Sequence, residues 1–216
     1  MKQNYTDINI VLDRSGSMVS VKHDTIGGFN QFLSEQQAVP GEATITLAQF
    51  DNVYELVYGA VPLADAKPLT DETFVPRGST ALLDAIGRTI HDTGKRLAAL
   101  PEESRPEKVL FVVLTDGYEN ASREFTSQQI NDLITLQRDT YKWEFVFLGA
   151  NQDAITTASS LGISAQNSMT YAANAVGVSS AMGSLSSNVA SYRRGFTRDA
   201  SFTVADRDAQ KKAGVR

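Results

Sequence analysis

The sequence predicts an α/β protein: a doubly wound, mostly parallel sheet with one antiparallel edge strand and helices on both faces. Three observations predict it. Apolar runs at 8–12, 109–114 and 145–148 are nearly continuous, which suits strands covered on both faces. Segments between those runs repeat their apolar residues at helical steps of three and four. Residues 43–50 alternate instead, Ile45 and Leu47 against Thr44 and Thr46. After Asp51-Asn52 the stretch 53–58 reads as the returning strand of a hairpin.

In chain order, the first strand leads into a helical stripe of Ile26, Phe29, Phe32 and Leu33 that ends before Pro40-Gly41. The hairpin follows. Leu83, Ile86, Ile90, Leu97 and Leu100 then mark a helix stopped by Pro101. Beyond the second apolar run, Thr126-Ser127-Gln128-Gln129 has the form of a capping box ahead of Ile130, Leu133, Ile134 and Leu136. After the third run, Ala154, Ala158 and Leu161 predict a short helix closed by Gly162, and 168–171 a last short strand. Val178, Met182, Leu185, Val189 and Tyr192 make one narrow stripe on a helix full of Ser, Ala and Gly, with Gly195 as its stop. Such a helix packs closely on the core. The domain is drawn at 1–192. The remaining stretch, 193–216, carries a net charge of +4 against −9 for the rest, and is expected to be a solvated, partly disordered basic tail, with docking on an acidic partner as the alternative.

Composition removes several classes of function. A net charge of −5 speaks against a dedicated nucleic-acid binder held by phosphate contacts. No cysteine is present, which rules out disulfides, thiolate metal sites and cysteine nucleophiles. Two histidines, His23 and His91, cannot build a histidine-rich zinc site. No apolar run approaches the length of a membrane span, and no signal-peptide core opens the chain. A cytoplasmic protein without membrane partners is the expectation.

The polar residues that stand out sit where strands end. Asp13-Arg14-Ser15-Gly16-Ser17 follows the first strand, at the carboxyl edge where open α/β sheets bind ligands. A carboxylate followed at alternate positions by two hydroxyls offers three hard oxygens, which favour magnesium, manganese or calcium over zinc or copper. The second apolar run ends likewise in Thr115-Asp116-Gly117. If these strands are neighbours, Asp13 and Asp116 lie about one strand spacing, 4.8 Å, apart and repel unless a cation lies between them. Arg77-Gly78-Ser79-Thr80-Ala81 opens the helix of Leu83 and Ile86, so Thr80 either offers its hydroxyl or, like Ser79, caps the helix.

In this order and placement, Asp13, Ser15, Ser17, Thr80 and Asp116 resemble the metal-ion-dependent adhesion site (MIDAS) of the von Willebrand factor A domain. The resemblance covers about residues 5–165 and is nearest to the stand-alone cytoplasmic type of bacteria and phages. It implies that Ser15 and Ser17 ligate the ion directly and that Thr80 does so directly or through water. Asp13 and Asp116 would act mostly through water, or with one direct bond. It also implies a coordination position filled by a partner's Glu or Asp carboxylate. Magnesium is the expected ion, with manganese and calcium as alternatives. The expected function is a non-catalytic, metal-dependent adaptor, whose partners would include a chaperone-like ATPase or a stress-response complex. The alternative is a magnesium-dependent, phosphatase-like hydrolase, against which stands the lack of a His, Cys or Lys in either crevice loop. Arg14 and Met18 are expected to ring the site, and Tyr118, Glu119, Asn120 and Arg123 either to select a partner or to form an exposed loop. Asp84 is expected as a supporting acid or a solvated one. Gly27-Gly28 reads as close backbone packing.

Overall fold

The computed structural model describes residues 1–150 and 153–215, so Asn151, Gln152 and the tail's last residue, Arg216, lie outside the described residues. Strands β1 (Lys2–Asp13), β2 (Glu42–Phe50), β3 (Tyr54–Pro62), β4 (Pro106–Thr115), β5 (Glu144–Ala150) and β6 (Ser168–Tyr171) form one sheet in the order β3-β2-β1-β4-β5-β6. Every pairing is parallel except β2 with β3, the expected hairpin edge. The reversal of strand order falls between β1 and β4. These two are neighbours, with Leu12 level with Leu114, so the loops carrying the two aspartates leave the same edge side by side.

Helices α1 (Lys22–Gln37) and α5 (Ala175–Arg193) cover one face of the sheet, where Ile8, Ile10, Leu12, Val112 and Leu114 meet Phe29, Phe32, Met182 and Leu185. On the other face, α2 (Leu82–Ala98), α3 (Ser127–Tyr141) and α4 (Ala154–Ser160) bury Val11, Phe111, Val113 and Phe147 against Ile86, Ile90, Ile130 and Ile134. Even and odd positions of each central strand therefore serve different cores, as the pleat requires. That is why these runs show little alternation. The Thr126 capping box closes on Gln129 as the sequence predicts.

The tail departs from expectation. In place of a partly disordered end, helix α6 (Val204–Ala213) starts from a Thr203–Asp206 capping box and packs beside β6 and α5. Ala200, Phe202 and Gln210 are buried. The Gln210 side chain accepts from the Ala172 N–H at 3.1 Å and donates to the Gly177 carbonyl at 3.0 Å, which gives polar backbone near the sheet edge its partners. Net charge cannot reveal such a helix, because its anchors are one aromatic and one amide. Among the described residues, no helix is long and apolar enough to cross a membrane.

Candidate functional site

β1 ends at Asp13, and the chain turns at once, since the Asp13 carboxylate accepts the Ser15 N–H at 2.6 Å. Its other oxygen accepts from the Thr115 hydroxyl at 2.5 Å, and the Asp116 backbone also hydrogen-bonds to it. Asp13 is fully buried and ties the two strand ends together. The turn brings Ser15 Oγ and Ser17 Oγ to 3.1 Å from each other, and Ser17 Oγ donates to Asp116 Oδ1. Gly16 allows the close approach of the third loop, whose Gly78 carbonyl accepts the Gly16 N–H at 3.1 Å.

Thr80 reaches the same place by a different route. The chain on either side of it is held to the residues just past β1 and β2, with Arg77 N–H on the Arg14 carbonyl at 2.8 Å and Ala81 N–H on the Asp51 carbonyl at 2.9 Å. Gly78 takes a left-handed φ of 68° there, and a Cβ would collide with Asn52 Oδ1. Thr80 does not cap α2. Glu119 accepts the Leu83 N–H and the Ser122 hydroxyl accepts the Asp84 N–H, so the loop after Asp116 satisfies the start of α2. Asn120 clamps Thr80 from both sides, Oδ1 accepting the Thr80 N–H at 2.9 Å and its own N–H donating to the Thr80 carbonyl at 3.0 Å.

The result is a cradle of oxygens. A Cβ on Gly117 would sit 3.2 Å from Thr80 Oγ1, 3.3 Å from Ser17 Oγ and 3.9 Å from Ser15 Oγ. Asp116 Oδ1 joins through Ser17. All five residues singled out in the sequence are thus brought together. Burial raises both carboxyl pKa values. Asp116 is pushed up to about 6, by desolvation first and by the neighbouring Asp13 charge as well. Tyr171 of β6, whose hydroxyl donates to the Thr115 carbonyl at 3.2 Å, forms the base under both acids.

Several neighbours take other places than the sequence predicts. Met18 is fully buried and belongs to the core under α1. Arg14 points away from the cradle and is buried in ion pairs with Asp51 at 3.1 Å and Glu55 at 2.5 Å. Asp84 accepts the backbone N–H groups of Arg123, Glu124 and Phe125, so it shapes the loop before α3. Glu119 and Asn120 position the site; Tyr118, 63% exposed, does face outward. Thr115, which the sequence marks only as part of a strand end, is the residue that holds Asp13, and a threonine at the end of an apolar strand carries no signal of that role.

A divalent cation fits this donor set. Three hydroxyls and one carboxylate oxygen converge, while Asp13 is already engaged by protein donors and would hold the loops in place. Among the described residues, no group of three or more His, Cys, Asp or Glu gathers. A hydroxyl-rich, oxygen-only site of this kind suits a hard ion.

No protein-family model and no curated protein matches the sequence. Solved structures do. Proximal thread matrix protein 1 from the mussel byssus is 15% identical with a TM-score of 0.57, over 86% of this chain and 46% of its own; one structure of it is described as having a zinc-occupied MIDAS motif. A von Willebrand factor type A protein from Catenulispora acidiphila is 13% identical with a TM-score of 0.54, over 85% and 42%. The pilus adhesin SpaC from Lactobacillus rhamnosus GG is 15% identical with a TM-score of 0.63, over 88% and 30%. The chain spans less than half the length of each of these proteins. Identities this low speak to architecture, and with the strand order and the single antiparallel edge they establish that the chain has the von Willebrand factor A fold.

Proposed function

We propose that the chain is a metal-dependent protein-binding module. A divalent cation, magnesium first and manganese or calcium as alternatives, would be held by Ser15, Ser17, Thr80 and Asp116, with Asp13 fixing the loops. The bound ion would supply an electrophilic position for the carboxylate of a partner's Glu or Asp. One observation carries the reading: three hydroxyls from two separate loops converge on the empty side of Gly117, next to a buried acid. The zinc at the MIDAS of the mussel protein supports a metal at the corresponding place. The reading is non-catalytic, since the cradle is built from hydroxyls, carboxylates and amides and its loops, 13–18, 77–81 and 115–123, carry no histidine or lysine. It takes the protein as a cytoplasmic adaptor.

The test is a thermal titration. Magnesium at about a hundred times its Kd should add about 2.7 kcal/mol, or roughly 5–10 °C for a chain of this size. Asp116→Ala should abolish that shift and Ser15→Ala or Ser17→Ala should weaken it. No shift with millimolar magnesium, manganese, calcium or zinc refutes the reading.

A further inference from the structure

Beside the cradle lies a cleft of about 830 Å³, within the usual size range of binding pockets, about 300–1,000 Å³. Tyr118, two residues past Asp116, and Ile155 of α4 line one part of it, and Arg207 and Lys211 of α6 another. Met169 and Tyr171, both buried, form its floor. Arg207 Nη2 donates to the carbonyls of Ala165 and Gln166 at 2.8 and 3.4 Å. Among the described residues, no carboxylate lies within ion-pair distance of that guanidinium. Lys211 pairs at 2.8 Å with Asp208, both well exposed, a contact worth little in water. Among the described residues that line the cleft the one acid is Asp153, engaged with Thr156 as the cap of α4. On a chain of net charge −5, the α6 wall of this cleft is therefore positive, and the same cleft is lined by an exposed aromatic, Tyr118.

We propose that the cleft receives the partner's chain next to the carboxylate captured at the cradle, an extended acidic segment whose second acid meets Arg207 and Lys211 while its apolar side lies on Tyr118. The proposal rests on the function stated above. Charge complementarity and adjacency to the cradle argue for this occupant: the cleft supplies two cations, an apolar floor and an exposed tyrosine, a residue type that anchors interfaces. It also gives the ordered tail a task, since α6 contributes the whole positive wall.

A displayed library of random dodecapeptides, selected on the full chain in millimolar magnesium, provides the probe. The expected winners carry two acids several residues apart, bind only without chelator, and weaken by about tenfold or more on Arg207→Gln with Lys211→Glu, and on Tyr118→Ala. Circular dichroism and the magnesium shift of the variants show that fold and cradle persist. Chelator-sensitive peptides that bind these variants within about twofold overturn the cleft and leave the cation reading standing. Peptides that need the cleft residues but ignore chelator overturn the cation reading and, with it, this proposal. If no peptide is enriched, the proposal also fails.

Discussion

Gly117 matters through the atom it lacks. A Cβ there would enter the space around which Thr80, Ser17 and Ser15 converge, so Gly117→Ala should reduce magnesium affinity by about tenfold or more, measured by calorimetric titration. The metal-free melting temperature reports separately on the fold. Asp116 sets the pH dependence. Its carboxyl is pushed up to about 6 from an ordinary 3.8, so between those values the folded chain holds a proton that the unfolded chain has released. The metal-free protein therefore loses stability as pH rises through that window. A cation needs the ionised carboxylate, so its stabilising effect should grow over the same window. Melting curves should show a larger magnesium shift at about pH 7.5 than at about pH 5, and an equal shift at both would contradict the assignment. The repulsion foreseen between two bare acids is only part of the case. Asp13 is held by a hydroxyl and by backbone amides, so Asp13→Ala would strand buried donors as well as relieve charge.

At the scale of elements, α5 packs on α1 through the small residue that the sequence marks. A Cβ at Gly28 would lie 2.7 Å from Met182 Cγ, whereas one at the exposed Gly27 would meet nothing within 4 Å. Two adjacent substitutions in one helix should thus differ in sign. Gly27→Ala should stabilise by about 0.5–1 kcal/mol through helix propensity, and Gly28→Ala should destabilise by about 1–3 kcal/mol through overpacking. Denaturant unfolding of the two variants measures the difference. On the opposite face α2 is tied to β1 by a buried polar network, Arg96 on Asp7 at 2.7 Å, and Thr93 on Asn9 at 2.9 Å. In the sequence, Asn9 only interrupts an apolar run. Apart from Asp7, its partners, Thr93 and the Leu110 carbonyl, lie more than eighty residues away, beyond what any local pattern encodes.

For the molecule as a whole, α6 decides whether the folded unit stops at α5 or continues past it. Ending the chain before residue 200 removes the buried Phe202 and leaves the Ala172 N–H and Gly177 carbonyl without Gln210. A loss of at least about 3 kcal/mol is expected from the aromatic and the two orphaned groups, lowering the melting temperature by roughly 6–12 °C. A solvated tail would leave it unchanged, and scanning calorimetry separates the two outcomes. Tyr171, next to Ala172, carries the β6 end onward to the Thr115 carbonyl beneath the cradle, so the truncated chain also shows how far the site depends on that base.

Sequence alone determined the fold class, the parallel core with its hairpin edge, and the five residues of the cradle. The first two rest on short-range signals, apolar runs and turn residues; the five residues rest on polar groups set where strands end together with the resemblance to the von Willebrand factor A domain. Tertiary structure decided the rest, including the burial of Met18 and Arg14, the positioning work of Glu119, Asn120 and Thr115, and the docking of α6. The physical reason is common to all of them. Whether a polar or apolar side chain faces water or a partner depends on what packs against it from distant parts of the chain, and a one-dimensional pattern records the side chain but not that neighbour.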